Sequence, residues 1–382
     1  MDKKLTTPEN HLRWSPYILL HGSGLDMFMN EHFLPSKKKV LYIMGKGFDV
    51  RMNIGINKII QSNSSLDMDL LLINFNEGKG SNSLKDKDLV IENEKELSSI
   101  VAEKQIYNKN INLWKGGNRQ KRRIGDREAA NLINSFSDIK KYTDIIVDIS
   151  ALPRGVYFSL IGKILSLVDN EKDKKPNFFI FTAENAEIDS NIIEKELDEE
   201  LHSPFGFNGG INLESSNSPN VWFPLIGEDK NLHLIKSNLQ IRPDEICPLL
   251  PFPSKNPRRS DDIFRDHYEF FENLQIGSQN IVYVPEQNPF EVYKKLISTI
   301  YKYNKSLSLL GGCNAVITVL TSKLLSIGVL LAVYELKNNV DFNVGIWNID
   351  SQGYEIKDVE KMKNLKGESE LFVTWLCGKP YN

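Results

Sequence analysis

The sequence predicts an α/β protein of two lobes, each a mostly parallel sheet flanked by helices. Three observations carry that expectation. Short runs rich in β-branched and aromatic residues alternate with longer helical patterns along most of the chain, the rhythm of strand–helix–strand units. One strand-to-helix layout occurs twice, at residues 145–165 (IIVDISALPRGVYFSLIGKIL) and 316–336 (VITVLTSKLLSIGVLLAVYEL). A length of 382 residues exceeds a comfortable single core, which points to two domains or two repeated halves.

Taken in order, residues 1–37 read as irregular, with an apolar patch at 17–20 before His21-Gly22-Ser23-Gly24. The first Rossmann-like lobe is expected at 38–185. It starts with a strand at 39–44 that ends in Gly45-Lys46-Gly47-Phe48-Asp49, then a helix from about residue 50. A strand at 68–75, a polar loop at 78–87 and a helix at 88–104 follow, then a short strand at 111–114, a basic loop at 115–123 and a helix at 126–136. The almost wholly apolar strand 144–149 reads as central. Its loop, Ser150-Ala151-Leu152-Pro153-Arg154, opens a helix at 155–168, and a strand at 177–182 closes the lobe. Residues 186–220, acidic and then rich in Gly, Asn and Ser, predict a connecting excursion that serves as lid or linker.

The second Rossmann-like lobe, 221–382, repeats the rhythm. A strand at 221–226 leads through Gly227 into a helix to 239. Pro248 and Pro251 interrupt the next strand, 245–252, and mark it as an edge strand or strand end. A helix at 261–273, a strand at 280–285 and a helix started by Asn288 and Pro289 come next. Strands are then expected at 306–310 and 316–320 around Gly311-Gly312, a helix at 324–336 after Thr321-Ser322-Lys323, and a last strand at 343–349.

Composition narrows the function classes. With 41% hydrophobic residues, 25% charged residues and a net charge of −3, the chain is not a globally basic nucleic-acid binder, although local basic loops can still contact phosphates. Cys247, Cys313 and Cys377 are odd in number, far apart and without CxxC spacing, so they read as reduced thiols of a cytoplasmic protein. The six histidines show no ligand spacing, and no metal is expected. The N-terminus has no signal-peptide core. The most apolar stretch, 315–336, carries Thr318, Thr321, Ser322, Lys323 and Ser326, which suits a buried strand and helix rather than a membrane span.

The repeated layout carries the chemistry. In each copy a buried strand is followed by a hydroxyl residue, a basic residue and a buried helix: Ser150 and Arg154 in the first, Thr321, Ser322 and Lys323 in the second. The first N–H groups of a helix have no partner within it, and the helix dipole adds positive character there. With a hydroxyl cap and a cationic side chain, such a turn binds anions at the carboxyl ends of the strands; the competing reading is an ordinary N-cap beside a solvated base. Gly45 and Gly47 permit a tight turn and close backbone approach, with Asp49 as a cap and Lys46 or Arg51 facing an anion. That turn matches neither GxGxxG nor the phosphate-binding GxxxxGK[ST] loop. The basic residues Lys121, Arg122 and Arg123, and Lys255, Arg258 and Arg259, are either phosphate contacts or solvated loops. Strand-end carboxylates at Asp49, Asp148 and Glu286 are the candidates for general-base or ribose-binding roles, with a helix start at Asn288 as the alternative for the last. No GxSxG, HExxH or kinase signature is present.

On Thr321, Ser322 and Lys323 after the strand at 316–320, the chain resembles the late strand-to-helix motif of CARF-type nucleotide-sensing domains of prokaryotic defence systems. It departs from that motif in the glycine pair Gly311-Gly312, which precedes the strand rather than following it. The resemblance covers about 20 residues plus the similar unit at 145–165, and it implies nucleotide sensing in antiviral defence with a protein partner in a defence complex. The residues themselves name no cofactor. They lead to a ligand site formed by Gly45, Gly47, Asp49, Arg51, Ser150, Arg154, Thr321, Ser322 and Lys323 for a nucleotide or another phosphorylated small molecule. A nucleotide-processing hydrolase and a non-catalytic scaffold subunit stay open as alternatives.

Overall fold

The computed structural model describes residues 12–34, 38–76, 86–102, 104–116, 122–172, 175–197, 201–208, 218–227, 232, 243–348 and 351–381. The fold class is α/β with mostly parallel sheets flanked by helices. The division of the chain differs from the expected contiguous lobes. One compact unit combines Ile18–Leu197 with Ser351–Asn382, and the other combines Met1–Tyr17 with Asp198–Asp350.

The first of these units is built on seven strands: β1 (Ile18–Leu20), β2 (Lys39–Lys46), β3 (Asp67–Asn76), β4 (Gln105–Asn112), β7 (Asp144–Asp148), β8 (Asn177–Glu184) and β17 (Glu370–Cys377). They lie in the order β1-β17-β8-β7-β2-β3-β4. β17 runs antiparallel to β8 and to β1, and the other pairs are parallel. Counted along the chain, the parallel strands β2, β3, β4, β7 and β8 stand in the order 3-2-1-4-5. That is the doubly wound order, and its switch point falls between the first strand and the fourth, here β2 and β7. Both are buried along almost their whole length, as expected of strands covered on two faces.

Helices α1 (Gly22–Phe33), α2 (Ile54–Ser62), α3 (Lys87–Val101), α4 (Gly125–Ala130) and α5 (Arg154–Asp169) belong to this unit. β1 and α1 occupy a stretch expected to be irregular. The two glycines at the start of α1 disguise it, yet its buried residues Leu25, Met29 and Phe33 recur every four positions, a helical stripe. That stripe joins Tyr42, Ile146, Phe179, Phe181, Val373 and Trp375 in one core, where each large apolar side chain contributes about 1.5–3 kcal/mol by leaving water. α4 is shorter than the helix expected at 126–136, and a single 3-10 turn, Phe136–Asp138, takes its end. The expected excursion at 186–220 holds α6 (Ala186–Asn191) and β9 (Ile192–Leu197). β9 pairs with β16 (Ser351–Ile356), which leads to α11 (Val359–Leu365) and β17. A second small ladder joins β5 (Trp114–Lys115) to β6 (Arg122–Arg123).

The other unit has an all-parallel sheet in the order β13-β12-β10-β14-β15, with β11 (Glu245–Ile246) paired to β10 off that path. Its members are β10 (Asn220–Ile226), β12 (Leu249–Pro251), β13 (Val282–Val284), β14 (Asn314–Leu320) and β15 (Asn343–Ile346). Counted along the chain, this order is again 3-2-1-4-5, with its switch point between β10 and β14. Its helices are α7 (Arg259–Asp266), α8 (Tyr268–Asn273), α9 (Pro289–Ser306) and α10 (Lys323–Leu336). α10 is buried on nearly every face, as its uniformly apolar sequence requires. The strand expected at 306–310 is instead the end of α9 and a 3-10 turn, Ser308–Leu310, closed by Gly311 in the left-handed conformation. The helix expected through residue 239 falls almost wholly outside the described residues. Trp14 from the N-terminal segment is fully buried, its ring edge-on to Tyr293 of α9 at 5.3 Å. Among the described residues, no helix is long and apolar enough to cross a membrane.

Candidate functional site

The repeated layout falls on the fourth strand of both sheets, β7 and β14. Each copy therefore borders a switch point, and in each the loop after the first strand meets the loop after the fourth.

At the β2/β7 switch point the contact is steric. A Cβ on Gly45 would stand 2.6 Å from Leu152 Cδ2 and 2.9 Å from the Ala151 carbonyl oxygen, and one on Gly47 would stand 3.3 Å from the same oxygen. Both glycines are thus accounted for by a neighbouring loop, whatever else approaches them. Asp49 and Arg51 pair with each other rather than facing a ligand. Arg51 Nε and Nη2 donate to the two Asp49 carboxylate oxygens at 2.9 and 2.8 Å, and Nη2 also donates to Asp189 at 2.7 Å. Burial works against the Arg51 charge, but Asp189 and Asp49 outweigh it, and the guanidinium is held charged. Arg51 is 2% exposed and Asp49 5%, which corrects the expectation that Arg51 faces an anion.

The residues of β7 and its loop are engaged as well. Asp148, 1% exposed, accepts from the Tyr42 hydroxyl at 2.6 Å and from the Ser150 N–H at 2.9 Å. Burial and the Asp148 charge push the Tyr42 phenol well above its ordinary range. Ser150 does not cap α5. Its Oγ accepts the Ala183 N–H at 2.9 Å and ties the loop to β8. Pro153, extended, takes the position before α5, and Arg154 is the first helical residue, half-buried. A second guanidinium arrives from the β5/β6 ladder: Arg123 Nη2 is 2.9 Å from where a Cβ on Gly155 would stand. Arg123 also lies over the Trp114 ring at 5.5 Å. Arg154 and Arg123 are thus gathered at the first turn of α5. The sequence marked Arg123 only as part of a basic loop, of which residues 117–121 lie outside the described residues.

At the β10/β14 switch point the contact is through the backbone. The Gly227 N–H donates to the Leu320 carbonyl at 2.6 Å, and a Cβ on Gly227 would meet that oxygen at 2.9 Å and Thr321 Cα at 3.0 Å. Ser322 caps α10 as expected, its Oγ accepting the Leu325 N–H at 3.4 Å. Thr321, Ser322 and Lys323 are half-buried around that turn. Glu286 is not with them. It follows β13, two strands from β10 across the sheet, where it makes an ion pair with Arg259 Nε at 2.8 Å and accepts the Lys255 N–H at 2.9 Å. Asn288 caps α9 by accepting from the Phe290 and Glu291 N–H groups.

A buried acid–base cluster of the seven-stranded unit lies at the opposite end of its sheet, at the start of β7. Asp144, fully buried, accepts from His32 Nε2 at 2.7 Å, Thr143 Oγ1 at 2.6 Å and Asn177 Nδ2 at 2.8 Å, with Lys38 Nζ at 3.6 Å. Burial alone would raise Asp144, but His32, Thr143 and Lys38 hold it below its ordinary value. Burial lowers His32 against the pull of Asp144, and pushes Lys38 down to about 8. Composition did not mark this cluster, since His32 and Asp144 are 112 residues apart in sequence. All three cysteines are buried and none is in a disulfide; burial raises Cys247 to about 12 and Cys313 to about 11. Among the described residues, no group of three His, Cys, Asp or Glu side chains is placed to hold a metal ion.

No protein-family model and no curated protein matches the sequence. Solved structures do show a likeness, and two of them illustrate it. Teicoplanin deacetylase Orf2, in a zinc-inhibited form, is 12% identical, with a TM-score of 0.26 over 44% of this chain and 79% of its own. A putative UDP-N-acetylglucosamine 2-epimerase from Listeria monocytogenes is 11% identical, with a TM-score of 0.22 over 75% of each chain. Neither likeness informs the chemistry of the site.

Proposed function

We propose that the turns opening α5 and α10 bind a nucleotide or another phosphorylated ligand, and that the protein acts by binding or sensing it. The observation that carries this reading is the position of the repeated layout: both copies open the helix after the fourth strand of a 3-2-1-4-5 sheet. In open α/β sheets, ligands settle outside the carboxyl ends of the strands at that crevice, and a helix N-terminus there favours negative charge. Arg154 and Arg123 at α5, and Lys323 at α10, add formal charge to each turn. The CARF resemblance extends the proposal to a nucleotide-sensing subunit of a prokaryotic antiviral defence system. Binding is preferred to hydrolysis because Asp49 and Asp148 are buried in contacts of their own and Glu286 is paired with Arg259.

The test is a thermal-shift screen against nucleotides, dinucleotides and cyclic oligonucleotides. Ligand at 100 times its Kd stabilises the fold by about 2.7 kcal/mol. The expected result is a hit that Arg154→Ala or Lys323→Ala abolishes without changing the melting of the free protein. No shift across the panel overturns the ligand reading in favour of a scaffold subunit.

A further inference from the structure

The outer strands of the two large sheets differ in length. β1 and β13 have three residues each and β15 has four, whereas β4 has eight. Six of the eight, Gln105, Tyr107, Asn108, Lys109, Asn110 and Asn112, are exposed. A long open edge is a template for another strand, and proteins usually blunt it with proline, bulges or several charges. β4 has no proline and one charge, Lys109.

The unused backbone groups can be identified. N–H directions alternate along a strand. The Leu113 N–H donates to the Asn76 carbonyl, toward β3, whereas the Asn112 N–H donates away from β3, to Glu128 Oε2 at 2.6 Å. Odd-numbered residues of β4 therefore bond β3, and Ile106, Asn108 and Asn110 point their N–H and C=O groups outward.

We propose that this edge pairs with the same edge of a second copy, antiparallel about a two-fold axis centred on Asn108. In that register Asn108 bonds Asn108 of the second copy, and Ile106 bonds Asn110, so all three outward residues are used on both chains. Tyr107 stands opposite Lys109 of the second copy in a close cross-strand pair, a cation beside an aromatic face. The neighbouring registers are poorer. A shift one way puts Lys109 opposite Lys109 and draws on Asn112, whose N–H is held by Glu128. A shift the other way draws on Lys104, whose N–H donates to the Val101 carbonyl. On the even-numbered face, Asn74 and Asn76 already donate to Asn110 and Asn112 at 3.0 and 3.3 Å, and Asn108 against its copy extends that row of amides across the joint.

The test is sedimentation of the full chain over a range of concentrations together with cysteine trapping. The Cα separation of a hydrogen-bonded antiparallel pair, about 5.5 Å, lies in the range a disulfide spans, and the three native cysteines are buried. The expected result is a concentration-dependent dimer that Asn108→Cys locks covalently under mild oxidation. Ile106→Cys and Asn110→Cys should cross-link when mixed, and neither alone. Asn108→Pro removes an outward N–H and should give a monomer with an unchanged melting temperature. If that variant misfolds, Asn108→Lys sets like charges face to face and should weaken the dimer at low salt, with recovery at high salt. A chain that stays monomeric at every concentration overturns the proposal, as does equal cross-linking at all three positions.

Discussion

The two switch points solve one packing problem in different ways. In both sheets the loop after the first strand must pass close to the loop after the fourth, and in both a glycine makes room. Between β2 and β7 the room is filled by the Leu152 side chain and the Ala151 carbonyl, which lie against Gly45, and the charges of the first-strand loop are neutralised within the unit by Asp49, Arg51 and Asp189. Between β10 and β14 the loops are joined by a backbone hydrogen bond from Gly227 to Leu320. A glycine after a first strand therefore reports the neighbouring loop before it reports a ligand. The turns proposed to bind a ligand share instead a cationic residue at the helix start, Arg154 in one and Lys323 in the other.

The largest effect that sharpens this comparison is expected from Arg51→Ala. It leaves the Asp49 carboxylate buried without its guanidinium, and removing one partner of a buried pair costs about 3–5 kcal/mol. Urea unfolding measures it, and a loss under about 1 kcal/mol would mean that the pair behaves as a surface one. Next come the glycines. An added methyl group in a packed site costs about 1–3 kcal/mol. Gly45→Ala should cost at least as much as Gly227→Ala, because each new Cβ meets a backbone carbonyl oxygen at 2.9 Å, of Ala151 and of Leu320, and at Gly45 Leu152 Cδ2 stands closer still at 2.6 Å. Stability measured on both variants decides, and a clearly smaller loss for Gly45→Ala would mean that the loop after β7 yields where the hydrogen-bonded loop after β14 does not.

A smaller, graded difference is expected with pH. Lys38, lowered from 10.5 to about 8, gives up its contribution as pH falls from 10.5 to 8, so little of that loss remains to occur below pH 8. His32, lowered from 6.5, penalises the fold as pH falls below 6.5, and Asp144 gives up its share at still lower pH. Glu335 in the other unit has the opposite sign. Burial raises it above 4.5 despite the Tyr293 hydrogen bond, so its contribution is fully present below 4.5 and is lost as pH rises through the raised value. Amide exchange at pH 8 and pH 5 should therefore show protection falling in β2 and β7 but not in β10 and β14; an equal fall in both discards the assignment. The smallest effect is Ser322→Ala. The loss of this long cap should cost about 0.5–1 kcal/mol, and Ser150→Ala, which removes a bond to β8 instead, should leave the start of α5 intact by the same exchange measurement.

Much of the architecture was legible because periodicity and burial agree. The apolar runs at 39–44, 144–149, 177–182, 221–226 and 316–320 all became central or near-central strands, since a strand covered on both faces needs such a run. β4 was expected only at 111–114 because an exposed edge shows no apolar pattern. β17, an apolar run read as no element, showed no local sign that it belongs to the sheet formed by the first half of the chain. At the candidate site, residue type identified the turns at 150–154 and 321–323 but not who holds whom. Asp49 and Arg51 looked like ligand groups because Asp189, which completes their buried arrangement, lies 138 residues beyond Arg51.

The ladder of β9 with β16 makes residues 198–350, which form the other unit together with residues 1–17, an insertion in a fold that does not need them for continuity. Leu197 is paired directly with Ser351, so the chain leaves and returns at adjacent points of one antiparallel ribbon. An Asn-Gly turn set between those two residues would close the ribbon as an ordinary hairpin. The shortened gene would still encode every strand of the seven-stranded sheet in its present connectivity, and the molecule can be read as a host with a removable passenger.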